Sequence, residues 1–288
     1  MDKLTYFIFR VFILIFRILP FGVLFFFSDL VFYLVYYVAG YRKKVVYNNI
    51  RKSFPEKDEA WAAQTAKRFY HHFSDMLVES LKAFTMKESD IVSRYRFNDV
   101  TFLDDLYRQG KSVLCVAGHY GNWEWGGIAT GSQLLHKPVG FYKPLSNKYV
   151  DGYVQRTRVQ GRASLASIAS TAETFLTDWG EPVIFYMVAD QSPSSRRLAH
   201  WVDFLNQKTA VLHGPEKYAR LHNLPVVFAH ATQVKRGVYT VDFRMLEPDP
   251  SKTAPGEITA RYMQILESVI KANPPYYLWS HRRWKLTP

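Results

Sequence analysis

Hydrophobic and polar positions change rhythm twice along this chain. From Leu4 to Tyr41 the sequence is dominated by Phe, Ile, Leu, Val and Tyr, interrupted by Arg10, Arg17 and Asp29. A membrane-spanning helix needs about 20 mostly apolar residues. The stretch Ile18–Gly40 meets that length with Asp29 as its only charge, although Pro20 and Gly22 lie near its start. After Arg42-Lys43-Lys44 the pattern becomes amphipathic. Ser53-Phe-Pro55-Glu-Lys-Asp-Glu59 reads as a helix start, with proline in the first turn and acids at the positive end of the helix dipole. Apolar residues then recur at helical spacing from Asp58 to Phe84.

Beyond that helix the period alternates. Short β-rich runs at Ser112–Ala117, Pro182–Ala189, Pro225–Thr232 and Val238–Met245 are predicted strands. Helical patterns fall near Trp123–Leu135, Lys148–Gln160, Ser170–Trp179, Ala210–His222 and Glu257–Ala272. Strands alternating with helices predict an α/β domain with a largely parallel sheet. The last two strands, joined by Lys235-Arg236-Gly237, are expected to form an antiparallel hairpin at one edge. The boundary near Tyr41 divides an apolar segment, 1–41, from a catalytic-sized domain, 42–288.

Composition narrows the reading. Of 288 residues, 37 are basic and 25 acidic, a formal charge of +12, which suits an anionic partner such as a membrane, nucleic acid or an acidic protein. The apolar fraction of 48% excludes a disordered chain. The single cysteine, Cys115, excludes an intrachain disulfide framework. The apolar N-terminus is too long for a signal peptide and has no small-residue cleavage site after it. It is expected to be a membrane anchor, spanning or interfacial, with a pair of buried core helices as the alternative. A single Asp at the centre of a spanning helix costs about 2.5–3.5 kcal/mol, which the surrounding apolar residues can offset. The basic cluster at residues 42–44 places the remainder in the cytoplasm under the positive-inside tendency.

The candidate chemistry sits in Ser112-Val-Leu-Cys-Val-Ala-Gly118-His119-Tyr-Gly-Asn122-Trp-Glu124-Trp-Gly-Gly. A buried strand runs into a glycine-broken turn and then a helix, and sites of open α/β sheets form beyond the carboxyl ends of strands. His119 stands there, and imidazole is suited to accept a proton near neutral pH. Glu124 lies five residues on, roughly 140° away on a regular helix. The two meet only if the turn through Gly121 departs from helix geometry, which glycine permits. Such a dyad would have Glu124 fixing the imidazole tautomer while the acceptor's own hydroxyl is the nucleophile. No His-Glu-x-x-His, cysteine pair, P-loop or Gly-x-Gly-x-x-Gly is present, so no metal or nucleotide cofactor is expected. A hydrolase would favour a Gly-x-Ser-x-Gly elbow, and none exists. A non-enzymatic membrane- or nucleic-acid-binding protein would leave the His119–Glu124 block unexplained. His71-His72 lacks ligand partners at useful spacing and reads as structural.

The run His119-Tyr-Gly-Asn-Trp-Glu124 resembles the signature of the bacterial lipid A (late, or secondary) acyltransferases, within the wider lysophospholipid acyltransferase family. The resemblance extends to the apolar N-terminus, Phe141-Tyr-Lys-Pro-Leu-Ser-Asn147, Arg156 and Arg158, Val188-Ala-Asp190-Gln191, and Tyr277-Leu-Trp-Ser-His281-Arg282-Arg283-Trp284-Lys285. Lys143 stands where that pattern usually has arginine. Ser192-Pro-Ser-Ser-Arg196-Arg197 replaces its glycine-rich stretch, a departure that bears on the acceptor more than on the chemistry.

The resemblance implies a glycerolipid-acyltransferase-like α/β sandwich with a mostly parallel sheet and an N-terminal apolar anchoring helix. It implies His119 as general base with Glu124, an acyl–acyl carrier protein donor and a lipid A precursor as acceptor, at the bacterial cytoplasmic membrane and without nucleic acid. Another glycolipid or a lysophospholipid is the alternative acceptor. Asn122, Lys143, Arg156, Arg158, Asp190, Arg282 and Arg283 are then the expected substrate-binding residues. Asp190 is expected to orient or contact substrate; His281 and its arginines are expected to be a phosphate site or a structural clamp; Arg196 and Arg197 could meet anionic headgroups. The oxyanion donors are expected near Gly126-Gly127 or from a basic side chain.

Overall fold

A computed structural model describes residues 2–159 and 162–287. The apolar N-terminus forms two helices, α1 (Asp2–Ile18) and α2 (Phe21–Tyr33), the latter extended by a π turn over Leu34–Val38. The break falls at Leu19-Pro20, because proline lacks the N–H that would continue the ladder and disfavours helical geometry in the residue before it. The apolar helix therefore runs Phe21–Val38 rather than from Ile18. Helix α3 (Lys43–Ser53) follows, then α4 (Glu59–Ala83), whose N-cap Asp58 accepts the Trp61 N–H at 2.7 Å.

The remaining chain alternates as expected. After α5 (Glu88–Arg94) come β1 (Tyr95–Phe97), α6 (Thr101–Arg108), β2 (Val113–Ala117), α7 (Trp123–Ala129) and β3 (Lys137–Tyr142). Then follow α8 (Lys148–Arg158), β4 (Ser164–Ser167), α9 (Thr171–Leu176), β5 (Val183–Val188), β6 (Ala199–Phe204) and β7 (Gln207–Leu212). Helix α10 (Gly214–Leu221), strands β8 (Val226–Lys235) and β9 (Val238–Glu247), and helix α11 (Glu257–Ala272) complete the domain. Seven strands form one sheet in the order β1-β9-β8-β2-β5-β3-β4, parallel throughout except for the antiparallel β8–β9 pair; β6 and β7 form a separate hairpin.

Several boundaries differ from the sequence reading. The β8–β9 hairpin is not the edge, because the short β1 pairs with β9 outside it. Helix α7 stops at Ala129 instead of Leu135. Ala210–Leu212, expected to be helical, completes β7. The expected helix Lys148–Gln160 ends at Arg158, and Gln160 lies outside the described residues. Strands β3, β4 and β6 are additions: β3 carries Pro138 and Gly140, and β4 reads Ser-Leu-Ala-Ser, neither giving a two-residue alternation.

Each face of the sheet carries a core. One face buries Leu114, Val116, Phe185 and Phe228 against α4, α10 and α11, and includes Trp279. The other buries Val113, Cys115, Ile184 and Val227 against α5, α6 and α7. The N-terminal helices dock on this body: α2 lies along α4, and α1 touches α4 and α8. Lys82 Nζ donates to the carbonyls of Phe16, Arg17 and Leu19 at 2.7, 3.0 and 2.9 Å, closing the C-terminal end of α1. Arg236, at the β8–β9 turn, pairs with Asp29 of α2 and with Asp75 of α4, both at 2.6 Å. The opposite faces of α1 and α2 leave Phe7, Phe12, Phe26, Leu30, Leu34 and Val38 exposed.

Candidate active site

Strand register assembles the site. Ala117, the last residue of β2, is paired with Val188, the last of β5. Two residues beyond each lie His119 and Asp190, so parallel pairing brings them side by side. Asp190 grips His119 twice: its Oδ2 accepts the His119 backbone N–H at 3.1 Å, and its Oδ1 lies 2.5 Å from Nδ1. His119 retains 15% side-chain exposure and Asp190 2%. A carboxylate on Nδ1 selects the tautomer with its proton there and leaves Nε2 free as a base. The Gln191 amide nitrogen stands 3.0 Å from that Nε2.

The turn that presents His119 depends on glycine at one place. Gly121 has φ +63°, and a Cβ there would lie 2.6 Å from the Ala231 carbonyl. The turn is strapped by the C-terminal segment: Gly121 N–H donates to Tyr276 O, and Leu278 N–H to His119 O, both at 3.0 Å. Trp123 meets the imidazole edge-to-face at 5.0 Å between ring centroids. Asn122 caps α7 by accepting the Trp125 N–H at 3.2 Å.

Glu124 takes a different position from the one expected. Its carboxylate is bonded to Arg158, and no Glu124–His119 hydrogen bond occurs among the described residues. Glu124 lies on the first turn of α7 and lines the cavity, reaching the imidazole through charge alone, and it is Asp190 that contacts Nδ1. Burial works against the imidazolium, but the charge and hydrogen bond of Asp190, then the charge of Glu124, outweigh it and raise the His119 pKa above its ordinary value. Burial pushes the Asp190 carboxyl upward in turn; His119 and the nearby Arg283 more than compensate and hold it below the usual carboxylate value.

His119, Glu124, Lys143, Arg158 and Gln191 all face one cavity of about 640 Å³. Its walls are mostly apolar. Its lining includes Tyr95, Phe97, Gly126, Gly127, Val241 and Phe243 from α7 and the β1–β9 side, and Phe141, Leu165 and Met187 from β3, β4 and β5. Gly126 and Gly127 are thus interior positions of α7 that give the cavity width, rather than an oxyanion turn.

Other expected contacts are corrected. Asn122 is fully buried and donates to Glu79, out of contact with the cavity. Arg283 is 1% exposed and donates to the Ala210 carbonyl, so it is part of the interior. His281 Nε2 accepts the Ser192 N–H at 3.2 Å, clamping the loop after Asp190. Arg156 and Arg282 are exposed and absent from the cavity wall. Arg196 donates to the Thr287 hydroxyl, and Arg197 is exposed. Two residues were overlooked: Gln191, visible only as Asp190's neighbour, and Tyr277, whose hydroxyl lies close to both Asp190 and Arg283 and is pushed well above its ordinary value, by burial first and then the Asp190 charge. No group of three or more potential metal ligands occurs among the described residues.

A largely buried imidazole held by a carboxylate, beside a mostly apolar cavity, is an arrangement able to serve transfer of an aliphatic group to a hydroxyl. Comparison with known proteins agrees. The chain is 24% identical over 258 residues to the lipid A biosynthesis palmitoleoyltransferase of Escherichia coli (strain K12), covering 86% of this chain and 80% of that protein. It is 23% identical over 249 residues to the lipid A biosynthesis lauroyltransferase of the same organism, with the same coverage. The family model described as bacterial lipid A biosynthesis acyltransferase matches residues 1–286, and the chain belongs to that family.

Proposed function

We propose that this acyltransferase of lipid A biosynthesis moves a fatty acyl group from an acyl carrier protein thioester to a hydroxyl of a phosphorylated lipid A precursor, with His119 as general base. The observation that carries the proposal is the His119–Asp190 pair, bonded at 2.5 Å, whose imidazole lines the mostly apolar cavity. Nε2 takes the proton of the acceptor hydroxyl as its oxygen attacks the thioester carbonyl. The tetrahedral intermediate then collapses, the carbon–sulfur bond breaks, and the leaving thiolate receives the proton from the imidazolium. Asp190 keeps Nδ1 protonated and stabilises the transient imidazolium. The Gln191 amide donates to Nε2 at 3.0 Å; the acceptor hydroxyl displaces it there, and the released N–H can then turn to the developing oxyanion. Arg158, oriented by Glu124, and Lys143 supply positive charge at the cavity mouth for the anionic acceptor or the donor's phosphate.

The attachment we propose is interfacial, at the cytoplasmic membrane. Helix α2 is long and apolar enough to cross a membrane, yet its one charge is paired to Arg236 and its inner face rests on α4. The exposed aromatic and aliphatic faces of α1 and α2 are then what enters one leaflet, with Arg42-Lys43-Lys44 meeting anionic headgroups.

The test measures transfer and hydrolysis together, with purified full-length chain in mixed micelles. Carrier-linked acyl chains are expected to react faster than coenzyme A thioesters, with the advantage shrinking as salt rises, because the +12 chain attracts an acidic carrier over a Debye length of about 8–10 Å. His119→Ala should lower turnover by about 10²–10⁴-fold. Equal, salt-independent use of both donors would remove the carrier-protein assignment. Near-normal turnover in folded His119→Ala would remove the base.

A further inference from the structure

Helix α4 carries a buried polar face that no step above uses. His72, Asp75, Glu79 and Lys82 recur at spacings of three and four residues, hence on one side of the helix, and all are buried. His72 Nε2 lies 3.3 Å from the Gly121 carbonyl. Asp75 accepts from Ser28 of α2 at 2.5 Å and from Arg236. Lys82 closes the end of α1. Glu79, with no exposed surface, accepts at Oε2 from Asn122 Nδ2 at 2.7 Å and from the Tyr239 hydroxyl at 2.8 Å, and its backbone carbonyl accepts the Trp125 indole N–H at 3.1 Å.

We infer that Glu79 is a positioning residue for acyl transfer: its carboxyl group holds Asn122, and through it the His119–Glu124 turn and the first turn of α7. Asn122 spends its amide nitrogen on Glu79 and its oxygen on the Trp125 N–H. Released from Glu79, its amide keeps only the bond from the Trp125 N–H, and the start of α7 is less well fixed. That start bears Trp123, which packs on the imidazole, and Glu124, which orients Arg158. Because α4 also binds α1 and α2, the same face ties the catalytic turn to the helices that meet the membrane.

The environment of Glu79 fits a neutral acid in this role. Burial, with the like charge of Asp75, pushes its pKa up to about 8 against the opposing hydrogen bonds of Tyr239 and Asn122 and the charge of Arg236. Oε2 accepts twice, and Oε1 has no hydrogen-bond partner among the described residues. A glutamine reproduces that shape, charge and accepting oxygen.

The test uses the full-length chain in mixed micelles and compares Glu79→Ala, Glu79→Gln and Asn122→Ser for kcat, KM, thermal midpoint and the pH profile. Glu79→Ala is expected to lower kcat by about 10–100-fold, the scale of misplacing a reacting group, with little change in KM. Glu79→Gln is expected to restore most of kcat and to lose an activity decline that the wild type shows as pH rises through about 8. Asn122→Ser keeps an oxygen for the cap but loses the donor to Glu79, and is expected to lower kcat while remaining folded. Folded Glu79→Ala with wild-type kcat overturns the inference, as does Glu79→Gln no better than alanine. If Glu79→Ala fails to fold, wild-type kcat in Asn122→Ser overturns it. The inference rests on acyl transfer at His119, and the two fail separately: an active wild type with unaffected variants defeats only the positioning role, whereas full activity in His119→Ala defeats the mechanism.

Discussion

Replacing Asp190 by asparagine separates the geometry found here from a dyad built on Glu124. The asparagine keeps the size of the side chain but cannot serve both of the bonds Asp190 accepts. If its oxygen faces Nδ1, its NH₂ is turned on the His119 backbone N–H, donor against donor. If the oxygen faces that backbone N–H, the NH₂ faces Nδ1, the proton moves to Nε2, and the base is lost. Both partners are largely removed from water, so the solvent discount that applies to surface ion pairs does not apply. Breaking a buried pair costs about 3–5 kcal/mol. At about 1.36 kcal/mol per decade, that is a loss of about 10²–10⁴-fold in turnover if it falls on the transition state. The pH profile adds an independent sign. Asp190 raises the His119 pKa while burial lowers it, so removing the charge leaves burial in command. The limb on which activity rises with pH should therefore move to lower pH in Asp190→Asn, even as its plateau collapses. The assay follows thiol release and acylated product from a carrier-linked donor at fixed ionic strength. Glu124→Gln, measured alongside, should shift the limb less, because its charge contributes least of the causes acting on His119. A folded Asp190→Asn enzyme with turnover within about threefold of wild type and an unmoved limb would refute this reasoning.

Three further outcomes follow from the same geometry. Gly126→Leu should shift the preferred donor to shorter acyl chains, read by competition among donors of different length, because even a Cβ there approaches the Tyr95 hydroxyl to 3.3 Å; an unchanged preference would mean the acyl chain lies elsewhere. Lys82→Met leaves three carbonyls at the end of α1 without their donor, at about 1–3 kcal/mol for each one that stays buried, so limited proteolysis in detergent should cut faster near Leu19-Pro20, and an unchanged rate would show that α1 is held by other contacts. Chelators should leave turnover unchanged, since no cluster of potential ligands occurs among the described residues; activity lost in EDTA and restored by a divalent ion would contradict the metal-free mechanism.

Much of the fold was legible because periodicity survives where one face is buried. The bounds of α11 agree at both ends, and β2, β5, β8 and β9 lie where β-rich runs predict them. Strands β3 and β4 were illegible because Pro138, Gly140 and the serines of β4 are tolerated by neighbours that sequence does not reveal. Helix α4 was read correctly as a helix from its apolar spacing, but that spacing does not mark Asp75 and Glu79, which are interior groups. Within the site, His119 was visible from its place after a strand. Its partner was not assigned to Asp190 because the resemblance pointed to nearby Glu124, whereas the contact depends on β2–β5 register across 71 positions. Arg283 was expected at a phosphate site or in a structural clamp, and full burial was not legible because arginine is almost never fully buried unless it is paired.

If His119 is the base we propose, that buried arginine accounts for how Asp190 can serve an imidazole that changes charge in each turnover. An ionised carboxylate in the interior needs a cation nearby. His119 supplies one only while it is protonated, yet the base must be neutral when the acceptor arrives. With His119 alone, loss of its proton would leave Asp190 uncompensated and draw a proton onto the carboxylate, releasing the grip on Nδ1. Arginine is a lasting cation in proteins, and the charge of Arg283 lowers the Asp190 pKa beside that of His119. Two of its nitrogens make no hydrogen bond among the described residues, so its charge is not spent on a local carboxylate. The row Arg283, Asp190, His119 thus keeps its middle member ionised whether the imidazole is neutral or charged. That is the condition for Nδ1–H to stay in place while Nε2 takes up and returns a proton.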